Sequence, residues 1–149
     1  MPHTVRRATL QDLNAVAHLF DLYRQFYEQE SHLSAAKDFI QKRLQNEESI
    51  IFVAESQSKE LLGFTQLFPT FSSVGMKRIW ILNDLFVAPE ARGKKVAESL
   101  MQTAMKFSEE SGARNLTLQT AVTNLPAQKL YEKLGWKRVD NFFSYIFRH

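Results

Sequence analysis

An α/β fold on a mixed central sheet is predicted, with about 6–7 strands and about four helices in the order β-α-α-β-β-β-α-β-α-β-β. Three observations predict it. Apolar residues recur at helical spacing over residues 13–27 and 94–111. Three β-rich runs follow one another between those helices, joined by short polar turns. A further strand-like run follows the second helix, which requires a crossover rather than a hairpin. No repeat, low-complexity stretch or linker divides the 149 residues, so one domain, 1–149, is expected.

The elements can be justified in order. Thr4–Arg7 opens with two β-branched residues and reads as a short strand. Thr9 and Asp12 have the spacing of a capping box, and Leu13, Val16, Ala17, Phe20, Tyr23 and Tyr27 continue at three- and four-residue steps. A second helix is expected near Ser34, with Phe39, Ile40 and Leu44 on one side. Ile50–Ala54 is a continuous apolar run, as in a strand covered on both faces. Leu61–Phe68 follows after a polar turn, with a loop expected from Pro69 to Gly75. Ile79–Val87 is a long strand candidate that stops before Pro89. From Lys94 to about Ser111 the period is helical again, and Gly112 suits the residue after its end. Leu116–Val122 reads as a strand, and Asn124 as the cap of a short helix with Pro126 in its first turn and Gly135 after its end. Trp136–Val139 and Phe142–Phe147 are expected to form a final pair of strands.

Composition narrows the chemistry. Without cysteine there are no disulfides, thiolate nucleophiles or thiolate metal sites, which fits a cytoplasmic chain. The four histidines have no metal-ligand spacing, so no metal is expected. No apolar run reaches the roughly 18–20 residues of a membrane helix, and no signal-peptide core stands at the N-terminus. There is no GxSxG elbow and no P-loop. The net charge is +3 and the isoelectric point about 9.2. The basic residues are spread out except at Arg6–Arg7 and Arg92–Lys95, which suits a local anionic ligand better than a nucleic-acid footprint.

The informative stretch is LFVAPEARGKKVAESLM, residues 85–101. A buried strand runs out at Val87, and a short turn leads into a helix whose N-terminus presents unpaired N–H groups and partial positive charge. Arg92, Lys94 and Lys95 surround that end, and Gly93 allows close backbone approach. A pyrophosphate would suit it. A solvated basic helix start with a turn glycine is the competing reading.

This stretch resembles motif A of the GNAT superfamily of acetyl-CoA-dependent N-acyltransferases, [QR]-x-x-G-x-[GA], with Arg92 and Ala97 matching its ends and Lys95 standing at the central glycine. TNLPAQKLYEKLGWK, residues 123–137, resembles the family's motif B: Asn124, Ala127, Leu130, Tyr131, Lys133, Gly135 and Trp136 match. The separation of Arg92 from Asn124 also agrees with the family. The resemblance implies a single GNAT-like domain and acetyl-CoA as acyl donor. It implies a cofactor site of Leu85, Phe86, Val87, Arg92, Gly93, Lys94, Lys95, Val96, Ala97, Asn124 and Lys133, with pantetheine lying along the strand that ends at Val87. Tyr131 matches the family tyrosine that protonates the leaving thiolate. Taken alone, Tyr131 reads equally well as a core aromatic and Asn124 as a plain N-cap.

The acceptor is expected to be a primary amine of a small molecule or a protein, and it must lose a proton before attack. Asp84, set in the apolar strand ILNDLFV, is the leading base, or else a paired structural acid or an acid on an exposed pleat. Glu28 and Glu30 are weaker candidates. Tyr27, Glu28 and Asn83, with Tyr23 and Phe26 nearby, are expected to line the acceptor pocket. The phrase LNDLFVAPEARG is most similar to the diamine, aminoglycoside and histone-type branch. No nucleic-acid or membrane partner is expected, a homodimer is left open, and a catalytically weakened acyl-CoA sensor is the alternative function.

Overall fold

The computed structural model describes residues 2–149. These form two compact units, the first extending to Gln119 and the second Thr120–His149.

The first unit is a five-stranded sheet with helices on both faces. β1 (His3–Arg7) leads through a single 3₁₀ turn, Leu10–Asp12, into α1 (Leu13–Phe26). The capping box is present in full: the Thr9 side chain accepts from the turn, and Asp12 Oδ2 accepts from the Thr9 N–H at 2.8 Å. α2 is Leu33–Gln45, β2 Ile50–Ser56, β3 Leu61–Ser72 and β4 Lys77–Val87. A 3₁₀ turn, Pro89–Ala91, precedes α3 (Val96–Glu110), and β5 is only Leu116–Thr117. The spatial order is β1-β2-β3-β4-β5, antiparallel except for the parallel β4–β5 pair.

Adjacent residues of a strand face opposite sides of the sheet. On β2, Val53 joins Val16, Phe20, Ile40, Phe64 and Phe86 in the core beneath α1 and α2. Its neighbour Phe52 points to the other face, where its ring and that of Trp80 meet Phe107 of α3 edge-on.

Two spans depart from the sequence expectation here. β3 continues through Pro69 to Ser72, where a loop was expected. β2 pairs with β3 only as far as Leu67, opposite Ile50, so at Pro69 one side of β3 is an edge. The missing N–H costs no ladder bond there. β5 stops at Thr117, well short of Val122, because β4 offers it only Trp80 and Ile81 as partners.

The second unit holds α4 (Leu125–Lys133). Asn124 caps it, accepting from the Ala127 N–H at 3.3 Å, and Gly135, at φ 94°, ends it. Trp136–Val139 and Phe142–Phe147 are not strands, so the sheet has five strands rather than the expected 6–7, and the order closes at α4. Aromatic residues favour a strand only where a hydrogen-bond ladder is completed, and among the described residues no ladder pairing includes this segment. Among the described residues, no helix is long and apolar enough to cross a membrane.

Candidate active site

β4 carries an irregularity that organises the site. Leu67 of β3 lies opposite Leu82, but Gln66 lies opposite Asp84, so Asn83 is an extra residue, a β-bulge. Leu82 therefore shares the α3 face with Leu67, while Asp84 and Phe86 are turned to the face of α1 and α2. Asn83 itself is exposed and Asp84 is 4% exposed.

Asp84 is embedded in a polar network. Gln66 Nε2 donates to Asp84 Oδ2 at 2.6 Å, Asn83 Nδ2 donates to Oδ1 at 3.2 Å, and Ser49 Oγ donates to Gln66 Oε1 at 2.7 Å. The Tyr23 hydroxyl donates to the Asn83 carbonyl at 3.3 Å and also bonds to the Asp84 carboxyl. Burial raises the Asp84 pKa above the ordinary carboxylate value, and the hydrogen bonds from Gln66, Tyr23 and Asn83 oppose that only in part. The carboxyl therefore holds its proton to a higher pH than an exposed aspartate does. Gln66 escaped the sequence reading. A glutamine inside the apolar run LLGFTQLF, at the inward parity of Phe64, was the available signal.

The Tyr23 ring packs edge-on against Tyr27, Phe64 and Phe86. Tyr27 is half exposed at the end of α1, where Glu28, at φ 64°, supplies the left-handed residue that stops the helix. Through Tyr23 the structure thus connects Tyr27, Asn83 and Asp84. Glu28 is exposed.

Among the described residues, β4 has no strand partner beyond Ile81 on the side away from β3. Leu85 and Val87 are half-buried on this open edge, and Phe86 is core. The edge leads straight to the turn before α3. Gly93 has φ 77° and Lys95 φ 63°, so the lysine adopts the conformation that a glycine takes freely. The side chains of Arg92, Lys94 and Lys95 are exposed, while Val96 is buried and Ala97 half-buried. Among the described residues, the N–H groups of Gly93 and Lys95 find no intramolecular acceptor. The first N–H groups of α3 lie next to them. Arg92 is anchored by its Nε–H to the Val87 carbonyl at 3.0 Å, with its guanidinium near the Phe26 and Phe86 rings. This turn has the amide and charge distribution that a pyrophosphate needs.

Asn124, Tyr131 and Lys133 lie in the second unit. Tyr131 is half-buried, near the end of α4, with its ring 6.2 Å from that of Trp136. Lys133 is exposed in the last turn. A separate hollow of about 330 Å³ opens beside α3, lined by His3, Val5, Ser99, Gln102, Thr103 and Lys106, and contains none of the expected site residues. Among the described residues, no group of His, Asp or Glu side chains could hold a metal.

An open strand edge running into an amide-lined cationic turn could hold an extended ligand with an anionic group. Comparison with known proteins agrees. The acetyltransferase (GNAT) family pattern matches residues 16–136. An uncharacterized N-acetyltransferase of Bacillus subtilis, YhfO, is 48% identical over 141 residues, covering 95% of this chain and 94% of that protein. A crystal structure of a probable acetyltransferase superposes with a TM-score of 0.93 at 41% identity, covering 98% of this chain and 97% of that one. The aminoglycoside N-acetyltransferase AAC(6')-Iy, solved in complex with CoA, shares the fold at a TM-score of 0.81 and 19% identity, covering 99% and 96% of the two chains. The chain belongs to the GNAT family of acetyltransferases and is an acyltransferase.

Proposed function

We propose that the chain moves an acetyl group from acetyl-CoA to a primary amine of a small molecule or a protein, by direct attack of the amine on the thioester. The observation that carries this reading is the turn before α3: Gly93 and Lys95 are both left-handed and their N–H groups are unspent, beside the open edge of β4. The Gly93–Ala97 backbone and the Arg92, Lys94 and Lys95 cations hold the pyrophosphate. Leu85 and Val87 offer main-chain groups to the pantetheine arm. Lys95 leaves the cradle intact because its side chain points to solvent.

Asp84 is the base. Its raised pKa lets it accept a proton from the incoming ammonium, directly or through water, and Tyr23 and Asn83 line the route. Tyr131 is the acid, assigned from its match to the family tyrosine. A phenol with pKa about 10 can protonate a thiolate whose acid has pKa about 8.5. Asn124 and Lys133 contact the donor on the same family grounds. Tyr27, Glu28 and Asn83 meet the acceptor, and an aromatic and acidic lining favours a cationic amine of the diamine, aminoglycoside or histone-tail kind.

Release of CoA thiol from acetyl-CoA, measured across a panel of diamines, aminoglycosides and lysine peptides, tests the reading. Amine-dependent release that falls in Tyr131→Phe supports it. Saturable CoA binding with no release for any amine indicates the sensor module instead.

A further inference from the structure

Lys95 combines two properties that conflict. It holds a left-handed backbone at φ 63°, ψ 22°, which is unfavourable for a side chain with a Cβ, and it immediately precedes the first residue of α3. Nothing from its own side chain caps the helix. Its carbonyl, however, is gripped twice by one residue, Ser99: by the backbone N–H at 3.1 Å and by the Oγ–H at 3.0 Å. A serine hydroxyl bonding back to the fourth residue before it is ordinary on a helix surface. Two features set this one apart. Its acceptor is the strained residue, and the hydroxyl is itself held from another element. His3 Nε2, on β1, lies 2.9 Å from Ser99 Oγ. With the Ser99 proton committed to the Lys95 carbonyl, the imidazole must be the donor. One turn further on, Thr103 Oγ1 donates to the Ser99 carbonyl at 3.0 Å, fixing the serine from its other end.

We propose that Ser99, backed by His3, is a positioning residue that holds Lys95 in the left-handed conformation the donor-binding turn requires. Where family members have a glycine at this position no such hold is needed, since glycine adopts the conformation freely. The relay His3 → Ser99 → Lys95 compensates for the lysine and ties edge strand β1 to the pyrophosphate cradle. The inference rests on the assignment of CoA to this turn, but the conformational hold can be tested without any ligand.

The experiment is a double-mutant cycle of Ser99→Ala and Lys95→Gly, read first by thermal unfolding of the ligand-free chain and then by CoA affinity. Ser99→Ala should lower Tm in the parent and much less in the Lys95→Gly background. It should weaken CoA binding on the order of three- to tenfold in the parent, the worth of one hydrogen bond, and less than twofold in the Lys95→Gly background. The KM for acetyl-CoA should rise while kcat holds, and Ser99→Thr, which keeps the hydroxyl, should restore affinity. His3→Ala should reproduce part of the loss in the parent and none once Ser99 is alanine. Equal effects of Ser99→Ala in both backgrounds would overturn the proposal, as would an unchanged CoA affinity in a variant whose melting is coupled when Gly93→Pro does lower that affinity. If Gly93→Pro also leaves CoA affinity untouched, the failure lies in placing CoA at this turn, and coupled melting still upholds the hold on Lys95.

Discussion

Replacing Asp84 with asparagine separates its chemistry from its structural part. Gln66, fully buried, donates its amide N–H to Asp84 Oδ2 at 2.6 Å, and the asparagine oxygen can take that role. The new amide nitrogen then meets the Asn83 side-chain amide, now 3.2 Å from Oδ1 and exposed, which can rotate to present its oxygen as acceptor. Stability should therefore change by less than about 1 kcal/mol, because no buried donor is stranded. Its pH dependence should change in a definite sense. Burial places the folded-state pKa of Asp84 above the unfolded value, so between the two the folded state binds more protons. The contribution of Asp84 is present below the unfolded pKa and declines as pH rises through the folded one, and Asp84→Asn should lack that decline. Asp84→Ala strands the Gln66 N–H and should cost about 1–3 kcal/mol from that term alone. If Asp84 is the base, kcat of Asp84→Asn should fall about 10²–10⁴-fold, and the acidic limb of the kcat/KM profile should vanish or move. The same limb should persist in Glu28→Gln and Glu30→Gln. Thiol release against pH, with urea melts of each variant, gives both readouts. Parent-like kcat with an intact acidic limb in Asp84→Asn would refute the assignment. Loss of that limb in Glu28→Gln or Glu30→Gln instead would move the base to the end of α1.

Four further outcomes are expected. Acetyl-CoA should raise the Tm of the parent, and Gly93→Pro, which forces a negative φ where the chain has 77°, should abolish the rise while the ligand-free fold persists by circular dichroism. Tyr131→Phe should lower kcat about 10²–10⁴-fold with CoA affinity unchanged, measured where chemistry limits the rate. Asp21 accepts from Ser31 Oγ at 2.6 Å and from the His32 N–H at 2.8 Å, and these bonds hold its pKa below the usual value. Its stabilisation should be present above the unfolded pKa and be lost as pH falls through the folded one, and acid titration of Asp21→Asn should lack that component. Phe64→Ala, at a fully buried position shared by β3 and the α1–α2 core, should cost about 3–5 kcal/mol in urea unfolding.

Most of the first unit was legible because its signals are local. The α1 cap, the α3 periodicity and the three central strands each depend on residues close in sequence. Where the reading failed, the deciding partner was remote. Whether Pro69 ends a strand depends on how far β2 extends beside it. Whether Leu116–Val122 forms a full strand depends on where β4 ceases to offer a partner. The aromatic run Phe142–Phe147 has strand propensity without a ladder. In the site, the basic turn and Asp84 stood out as type and position, one cationic, one polar among apolar neighbours. The Gln66 and Tyr23 partners of Asp84 did not, because a hydrogen bond across β3 and β4 has no sequence spacing. Nor could the sequence show that Lys95 would take a glycine conformation, since that is a property of backbone angles.

The extra residue at Asn83 makes β4 a strand of two parities. Before it, even-numbered positions such as Trp80 and Leu82 belong to the α3 side; after it, even-numbered positions such as Asp84 and Phe86 belong to the opposite side. Deleting that one residue would leave the composition of the strand almost unchanged. It would make Leu82 and Asp84 consecutive and keep them on the opposite faces they now occupy, whereas drawing Asn83 into the ladder without a bulge would send the buried acid towards α3 and an aliphatic side chain towards Tyr23. The reactive half of β4 is thus free to vary in sequence only under a counting rule. Substitutions can be absorbed one side chain at a time, but a residue inserted into Asp84–Val87, or the loss of the bulge with Asn83 retained, would turn every following side chain of the strand to the wrong face.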